Sequence, residues 1–189
     1  MNPAYLAEPA DWLRDSVVQV RQGASAGSGL AWGWDLVVTS AHVAHAGEVD
    51  ILLPGGESRR GIVRACNRAR DVAVLSVPGL GLPAARRRAP SALRPGEVIF
   101  AIGHPFGVQR ALSAGILHAV GPLPEGYPLP APQRLLPWVQ ADVRLAPGNS
   151  GGPLADAEGC VIGLSTMIVN GLALAVPSTA VEHLVRAAA

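Results

Sequence analysis

The sequence contains no lysine: all fifteen of its basic residues are arginine, and fourteen acidic residues balance them. The formal charge of +1 argues against a nucleic-acid-binding or membrane-surface protein. Only 15% of the residues are charged and 49% are hydrophobic, which excludes extensive disorder. A chain of 189 residues with this composition is long enough to bury a substantial core.

Cysteine is also scarce, with two residues. Cys66 and Cys160 are too few for a disulfide scaffold or a four-ligand zinc site, and they predict either two reduced thiols or one bridge. His42 and His45 have the spacing of a His-x-x-His metal pair, but Glu48 is the only acidic residue near them in sequence. We therefore predict neither a metal nor a cofactor.

The first residues lack the basic start and apolar run of a leader, which predicts a cytoplasmic protein, or an extracytoplasmic one if the sequence lacks its native leader. The longest uncharged run, residues 159–181, is long enough for a membrane span. Asn170 and Gly171 divide this run into two apolar segments, a pattern typical of a β-hairpin. We therefore expect no membrane span.

Long helical patterns are rare, whereas glycine and proline are frequent, with 22 and 17 residues. Short runs rich in Val, Ile and Leu, bounded by turn residues, predict β-strands. The runs are residues 17–20, 30–34, 36–39, 49–53, 61–65, 72–77, 98–102, 111–120, 138–141, 161–167 and 172–176. About a dozen strands without long helices indicate a sandwich or a barrel. Residues 9–15 predict a short helix, and residues 178–189 predict another, capped by Ser178 or Thr179.

Two irregular segments interrupt the strands. Residues 78–95 predict a linker between two strand groups, with Arg86, Arg87 and Arg88 in solvent or, alternatively, against an acidic partner. Residues 121–137 contain six prolines and predict either a functional loop or a static, proline-stiffened one.

The strongest chemical motif is residues 147–153, PGNSGGP. A serine hydroxyl becomes a nucleophile when a base takes its proton and backbone N–H groups stabilise the oxyanion. Flanking glycines allow the tight turn and close approach that this arrangement requires. The motif predicts Ser150 as nucleophile, with Gly148, Asn149 and Ser150 forming the oxyanion hole; a plain turn is the alternative.

Two further residues complete a candidate triad. His42 follows a buried apolar run directly, and Asp71 directly precedes another. An aspartate in this role accepts the Nδ1–H of the histidine and stabilises its charged form. The order His, Asp, Ser, with gaps of 29 and 79 residues, is that of chymotrypsin and differs from the subtilisin order.

These motifs resemble those of trypsin-like serine proteases, specifically the HtrA (Deg) family. The matching segments are residues 27–30, 39–43, 71–75, 101–107, 140–142, 147–154 and 172–178. The resemblance implies an all-β, chymotrypsin-like fold of two perpendicular six-stranded β-barrels with a short C-terminal helix. One protease domain, 1–189, would contain an N-terminal barrel at 16–85, a C-terminal barrel at 92–177 and the helix at 178–189.

The resemblance also implies a serine endopeptidase that hydrolyses unfolded or exposed polypeptide through an acyl-enzyme, as in protein quality control. Leu145 would line an aliphatic first substrate pocket if Arg144 is turned to solvent, which we favour because burying an unpaired arginine is costly. An inward-turned Arg144 would instead favour acidic residues. Leu164, Ser165 and Thr166 would bind the substrate backbone as an added β-strand. No nucleic-acid partner and no metal are implied.

Several features depart from the family. The family usually carries one or two PDZ domains after the protease domain, and we expect no PDZ-gated sensing here unless the sequence is a fragment. His104 replaces the usual Asn of a Gly-Asn-Pro-Phe-Gly motif. Tyr5 and Trp12 could support a homotrimer or could pack on a monomer. Pro147 and the loop at 121–137 are the predicted supports of the oxyanion loop. The alternative functions are a catalytically silent binding or chaperone module on the same scaffold, and an esterase.

Overall fold

The computed structural model describes residues 5–188, which contain twelve β-strands and three α-helices. The first six strands are β1 Val17–Gln22, β2 Ser25–Gly33, β3 Leu36–Thr39, β4 Glu48–Leu52, β5 Ser58–Asn67 and β6 Val72–Ser76. The second six are β7 Val98–Gly103, β8 Ala111–Gly121, β9 Trp138–Asp142, β10 Pro153–Asp156, β11 Val161–Val169 and β12 Leu172–Pro177. The helices are α1 Ala7–Arg14, α2 Ala131–Arg134 and α3 Ser178–Ala187.

Each group of six strands closes into an antiparallel barrel, which confirms the predicted fold class. The strand order is β1-β2-β3-β6-β5-β4 in the first barrel and β10-β11-β12-β9-β8-β7 in the second. Every predicted run corresponds to an observed strand, but the sequence analysis missed β10. This strand has four residues, starts at a proline and follows the glycines of the serine motif directly, so its apolar signal is weak.

Many strands read as continuous apolar runs because both of their faces are buried. In β1, Val18 and Val20 pack inside the first barrel, whereas Val17 points into a core shared with the second barrel. Leu30 and Phe100 enter this shared core from the two barrels. The second barrel has an interior of its own. The shared core fixes how the two barrels face each other, and therefore the geometry of the seam between them.

The linker arginines combine the two predicted states: Arg86 and Arg87 are exposed, Arg88 is half-buried, and Arg87 and Arg88 also contact acidic side chains of this chain. The guanidinium of Arg87 donates to the carbonyl of Trp32 at 2.6 Å and lies 4.7 Å above the Trp32 ring. Arg88 pairs with Asp156 at 2.8 Å, and that carboxylate is 4% exposed. The linker arginines therefore fasten the first barrel to the second, because Trp32 lies on β2 and Asp156 on β10.

The C-terminal helix α3 lies against β11 and β12 and against β5 and β6, so it spans both barrels. Its first residue does not cap it: the Ser178 hydroxyl donates to the Arg88 carbonyl at 2.7 Å. Cys66 and Cys160 are free thiols, one of the two states that the sequence left open. None of the helices in residues 5–188 has the length and apolar character that a membrane crossing requires.

Candidate active site

The pairing of β3 with β6 brings His42 and Asp71 together. The strands are antiparallel, with Thr39 opposite Ala73. His42 follows the end of β3 and Asp71 immediately precedes β6, so both residues leave the barrel at the same edge. The Nδ1 of His42 lies 2.8 Å from Oδ2 of Asp71, and the His42 backbone N–H donates to Oδ1 at 2.9 Å. Asp71 thus holds the imidazole by its ring and by its backbone.

The charge state of the pair follows from these contacts. Burial pushes the pKa of Asp71 upward, but hydrogen bonds from His42 and from the hydroxyl of Thr166 outweigh burial and leave the pKa below its ordinary value. The hydrogen bond to Asp71 raises the pKa of His42, against the opposing effect of its partial burial. Asp71 is therefore ionised at neutral pH and stabilises the protonated form of His42.

Ser150 enters the site from the loop between β9 and β10. Its carbonyl accepts the N–H of Ser28 at 2.8 Å. A Cβ added to Gly27 would lie 2.7 Å from that carbonyl and 2.6 Å from the side chain of Val43, so Gly27 is the spacer between the nucleophile loop and the residue after His42. Thr166 completes the link, because its hydroxyl contacts Asp71 while its carbonyl accepts the Ser150 hydroxyl at 3.1 Å.

The hydroxyl of Ser150 therefore donates to Thr166 here. Among the contacts of residues 5–188, no hydrogen bond joins Ser150 to His42. Since Nδ1 of His42 is occupied by Asp71, Nε2 is the nitrogen left for the nucleophile. Rotation of the Ser150 side chain from one staggered position to another is the movement by which the hydroxyl would leave Thr166.

The loop before Ser150 presents two unused N–H groups. The carbonyl of Pro147 accepts the Phe106 N–H at 2.9 Å. Because a trans peptide is planar, the N–H of Gly148 points in the opposite direction. In the part of the chain that the structure describes, neither Gly148 nor Ser150 donates its backbone N–H to another residue. The Asn149 N–H is already given to the carbonyl of Ala146 at 3.0 Å, so Asn149 lacks the free donor that the sequence analysis assigned to it.

His104 and Ser28 hold this loop in place. The Ser28 hydroxyl donates to the carbonyl of Gly148 at 2.7 Å, and Nδ1 of His104 lies 3.0 Å from the same hydroxyl. Since the single hydroxyl proton goes to Gly148, Nδ1 of His104 is the donor to Ser28. Burial, with a smaller effect of Arg110, lowers the pKa of His104 to about 4. The imidazole is therefore neutral at physiological pH.

The contacts of this loop differ in part from the predicted supports. Pro147 is one of them, through its carbonyl, but the other partners come from residues 104–106 and Ser28. The hydrogen bonds of the proline-rich loop run elsewhere: its Pro137 carbonyl accepts Arg70, and its Gln133 carbonyl accepts the indole of Trp138.

The sequence of residues 27–164 matches the family described as the trypsin-like peptidase domain. The chain belongs to this family. The peptidase domain is 36% identical over 165 residues to a probable periplasmic serine endoprotease DegP-like of Ectopseudomonas mendocina (strain ymp), a match that covers 83% of this chain and 34% of the relative. It is 36% identical over 161 residues to the mitochondrial serine protease HTRA2 of Bos taurus, covering 82% and 34%. The domain spans about a third of the length of these curated relatives.

Solved structures of the same type agree. The HtrA-type protease AlgW with tripeptide has a TM-score of 0.86 and 28% identity, over 98% of this chain and 63% of that one. AlgW with decapeptide has a TM-score of 0.84 and 24% identity, over 97% and 67%, which supports the fold alone. The resemblance to the HtrA family is confirmed.

A cavity of about 210 Å³ adjoins Ser150 in the peptidase domain. Its lining is mostly apolar: Leu145, Ala146, Pro147, Asn149, Ser150, Thr166, Met167 and Ile168. Leu145 lines this cavity and Arg144 is exposed; that the cavity receives a substrate side chain stays a prediction. We call this cavity the first subsite.

The structure does not bring Leu164 or Ser165 to the cleft, which corrects two predicted substrate-binding residues. Leu164 is fully buried and paired on both sides, with Val176 on β12 and Pro153 on β10. The Ser165 N–H donates to the Gly152 carbonyl, and the Ser165 carbonyl accepts the N–H of Gly151. Only after Ser165 does β11 lose its pairing with β10, so the strand edge that a peptide could join begins at Thr166.

Sequence reasoning missed three of the contacts that build this site. Thr166 was assigned to substrate binding, whereas its hydroxyl contacts Asp71. Ser28 and His104 were noted as parts of motifs without a role. The signal available in the sequence was the pair of glycines that flank Ser28. Glycines on both sides allow another backbone segment to approach closely, here the Gly148 carbonyl that accepts the Ser28 hydroxyl.

Proposed function

We propose that this chain is a serine endopeptidase in which Ser150 attacks the peptide carbonyl, His42 takes and returns the proton, and Asp71 orients His42. The observation that carries the proposal is the contact set of Thr166, whose two oxygens touch Asp71 and Ser150. Through these two hydrogen bonds, Thr166 connects the His42–Asp71 pair of the first barrel with the nucleophile loop of the second.

The chemistry follows from these positions. Transfer of the Ser150 proton to Nε2 of His42 creates an imidazolium next to ionised Asp71, and the alkoxide oxygen bonds to the substrate carbonyl carbon. The carbonyl oxygen becomes negative and is stabilised by the N–H groups of Gly148 and Ser150. His42 then protonates the leaving amine, and water hydrolyses the acyl-enzyme with His42 again as base.

The substrate is proposed to be an extended, unfolded or exposed polypeptide. Its backbone would add to β11 along residues 166–168, and the side chain before the cleaved bond would enter the first subsite. The relatives named above are called periplasmic and mitochondrial proteases, names that do not favour the cytoplasmic prediction. Homotrimer or monomer also stays a prediction; Tyr5 and Trp12 are both exposed.

A peptide-library digest analysed by mass spectrometry tests the proposal. We expect cleavage after Val, Ala, Leu and Ile, because the first subsite is small and apolar. In Leu145→Phe the larger ring fills this space, so cleavage after Leu and Ile should fall about tenfold relative to cleavage after Ala. Leu135→Phe, at an exposed position outside the subsite, is the matched control. Absence of cleavage by the unmodified chain, or an unchanged preference in Leu145→Phe, would contradict the assignment.

The rate should also rise with pH. Only neutral His42 accepts the serine proton, and its pKa is raised by Asp71. The rising limb of kcat/KM should therefore have its midpoint above the ordinary histidine pKa of 6.5. His45→Gln removes the exposed neighbouring histidine and should leave the limb unchanged. A flat profile between about pH 5 and pH 8 would exclude His42 as the base.

A further inference from the structure

A second cavity lies on the other side of the cleft. It has a volume of about 370 Å³ and is lined by His42, Arg68, Ala69, Asp71, Gln133, Trp138, Thr166 and Met167. Thr166 and Met167 also line the first subsite, so the two cavities flank the same segment of β11. Successive side chains of an extended peptide point to opposite sides. If one substrate side chain fills the first subsite, the preceding one faces this second cavity.

The second cavity has a cationic rim. Arg68 is exposed, and it lines both this cavity and an adjoining one beside His42 and His45. The ion pairs found within residues 5–188 do not include Arg68. The carboxylate of Asp71 also faces the cavity, but it is engaged by His42 and Thr166. Asp71 keeps its negative charge in these hydrogen bonds, but its oxygens are occupied, whereas Arg68 is exposed and belongs to none of the ion pairs of residues 5–188. Arg68 is therefore the charged lining residue that is available to a substrate side chain.

The remaining walls suit a side chain with an apolar stem and a polar end. Met167 is half-buried and offers a flexible apolar surface. Gln133 enters from the proline-rich loop, and its backbone is fixed by the hydrogen bond of its carbonyl with Trp138. Its amide can donate to a carboxylate. Gln133, Met167 and Arg68 thus line one cavity of about 370 Å³, which has room for a glutamate side chain.

We propose that Arg68 gives the chain a preference for an acidic residue, glutamate above all, immediately before the residue at the cleaved bond, where the substrate side chain enters this cavity. The inference rests on the proposed function for the direction of the substrate, and it adds a charge preference. Arg68 provides the attraction, and Gln133 provides a hydrogen bond. An exposed ion pair of this kind corresponds to about a two- to fivefold preference.

The test separates binding from catalysis. Fluorescein-labelled decapeptides with Val at the first subsite, and Glu, Gln or Arg immediately before it, are titrated into Ser150→Ala by fluorescence anisotropy. We expect the Glu peptide to bind about two- to fivefold more tightly than the Gln peptide, and the preference to shrink in 0.5 M NaCl. Arg68→Gln should abolish the preference, and Arg68→Glu should transfer it to the Arg peptide.

Arg64→Gln is the matched control, since Arg64 is exposed on β5 and lines neither cavity. It removes the same charge and should keep the preference. Equal binding of the three peptides, no binding of any, or loss of the preference in Arg64→Gln would overturn the proposal. The library digest of the unmodified chain reports separately on the proposed function, because cleavage without acidic enrichment rejects the acidic preference alone.

Discussion

Ser150→Ala is expected to keep its fold and to lose peptide hydrolysis by about 10⁶-fold, the scale found when a serine nucleophile is removed. Within residues 5–188 the hydroxyl forms one hydrogen bond, to the Thr166 carbonyl, so its removal should leave the packing of the loop unchanged. The carbonyl of Ser150 still accepts Ser28, and Gly151 still donates to Ser165. The measurement is kcat/KM on a peptide with an aliphatic residue before the cut, together with the thermal unfolding temperature.

Labelling with a fluorophosphonate makes the same prediction specific to one residue. An activated serine reacts, and the adduct should map to Ser150 by fragmentation of the peptide that follows Arg144. Ser91→Ala, at an exposed position in the linker, is the control and should label and hydrolyse normally. Residual hydrolysis in Ser150→Ala close to that of the unmodified chain would refute the assigned nucleophile. Absence of labelling in the unmodified chain would mean that His42 does not activate Ser150.

The strands were predictable because their signals are local, whereas the residues left a sandwich or a barrel open and the two barrels followed from the family resemblance. Runs such as residues 72–77 are rich in β-branched residues and end at turn residues. This pattern predicts a strand without knowledge of which strand lies beside it. The His42–Asp71 pair was predictable for a related reason, since each residue sits at the end of a strand. Antiparallel pairing of the two strands then leaves little freedom in where the side chains meet.

The remaining features depend on contacts between distant segments. Leu164 and Thr166 lie in one apolar run, yet β10 covers the first and leaves the second at an open edge. No periodicity marks that difference, because it arises where a neighbouring strand begins. The contacts of Arg87 and Arg88 were also not predictable, because their partners Trp32 and Asp156 are more than fifty residues away in sequence. The partners of charged linker residues depend on how the two barrels pack, which no local sequence pattern describes.

Gly148→Ala is expected to reduce kcat about 10²- to 10³-fold, the effect of losing one oxyanion donor. The φ angle of Gly148 is +105°, and an added Cβ would lie 2.1 Å from the carbonyl oxygen of His104. That oxygen belongs to the backbone and also accepts the N–H of Gly107, so it cannot yield easily. The loop must move instead, and its movement turns the Gly148 N–H away from the substrate oxygen.

Gly56→Ala separates the clash from the cost of a positive φ. Gly56 has a φ of +86°, and nothing lies within 4 Å of an added Cβ. Both variants should lose some stability to backbone strain, of the order of 1–3 kcal/mol, but only Gly148→Ala should lose kcat. Ser28→Ala provides a milder test of the same loop, since it removes the hydroxyl that holds the Gly148 carbonyl without adding an atom. If Gly148→Ala folded and turned over substrate at the normal rate, the oxyanion would have to be stabilised by groups other than this loop.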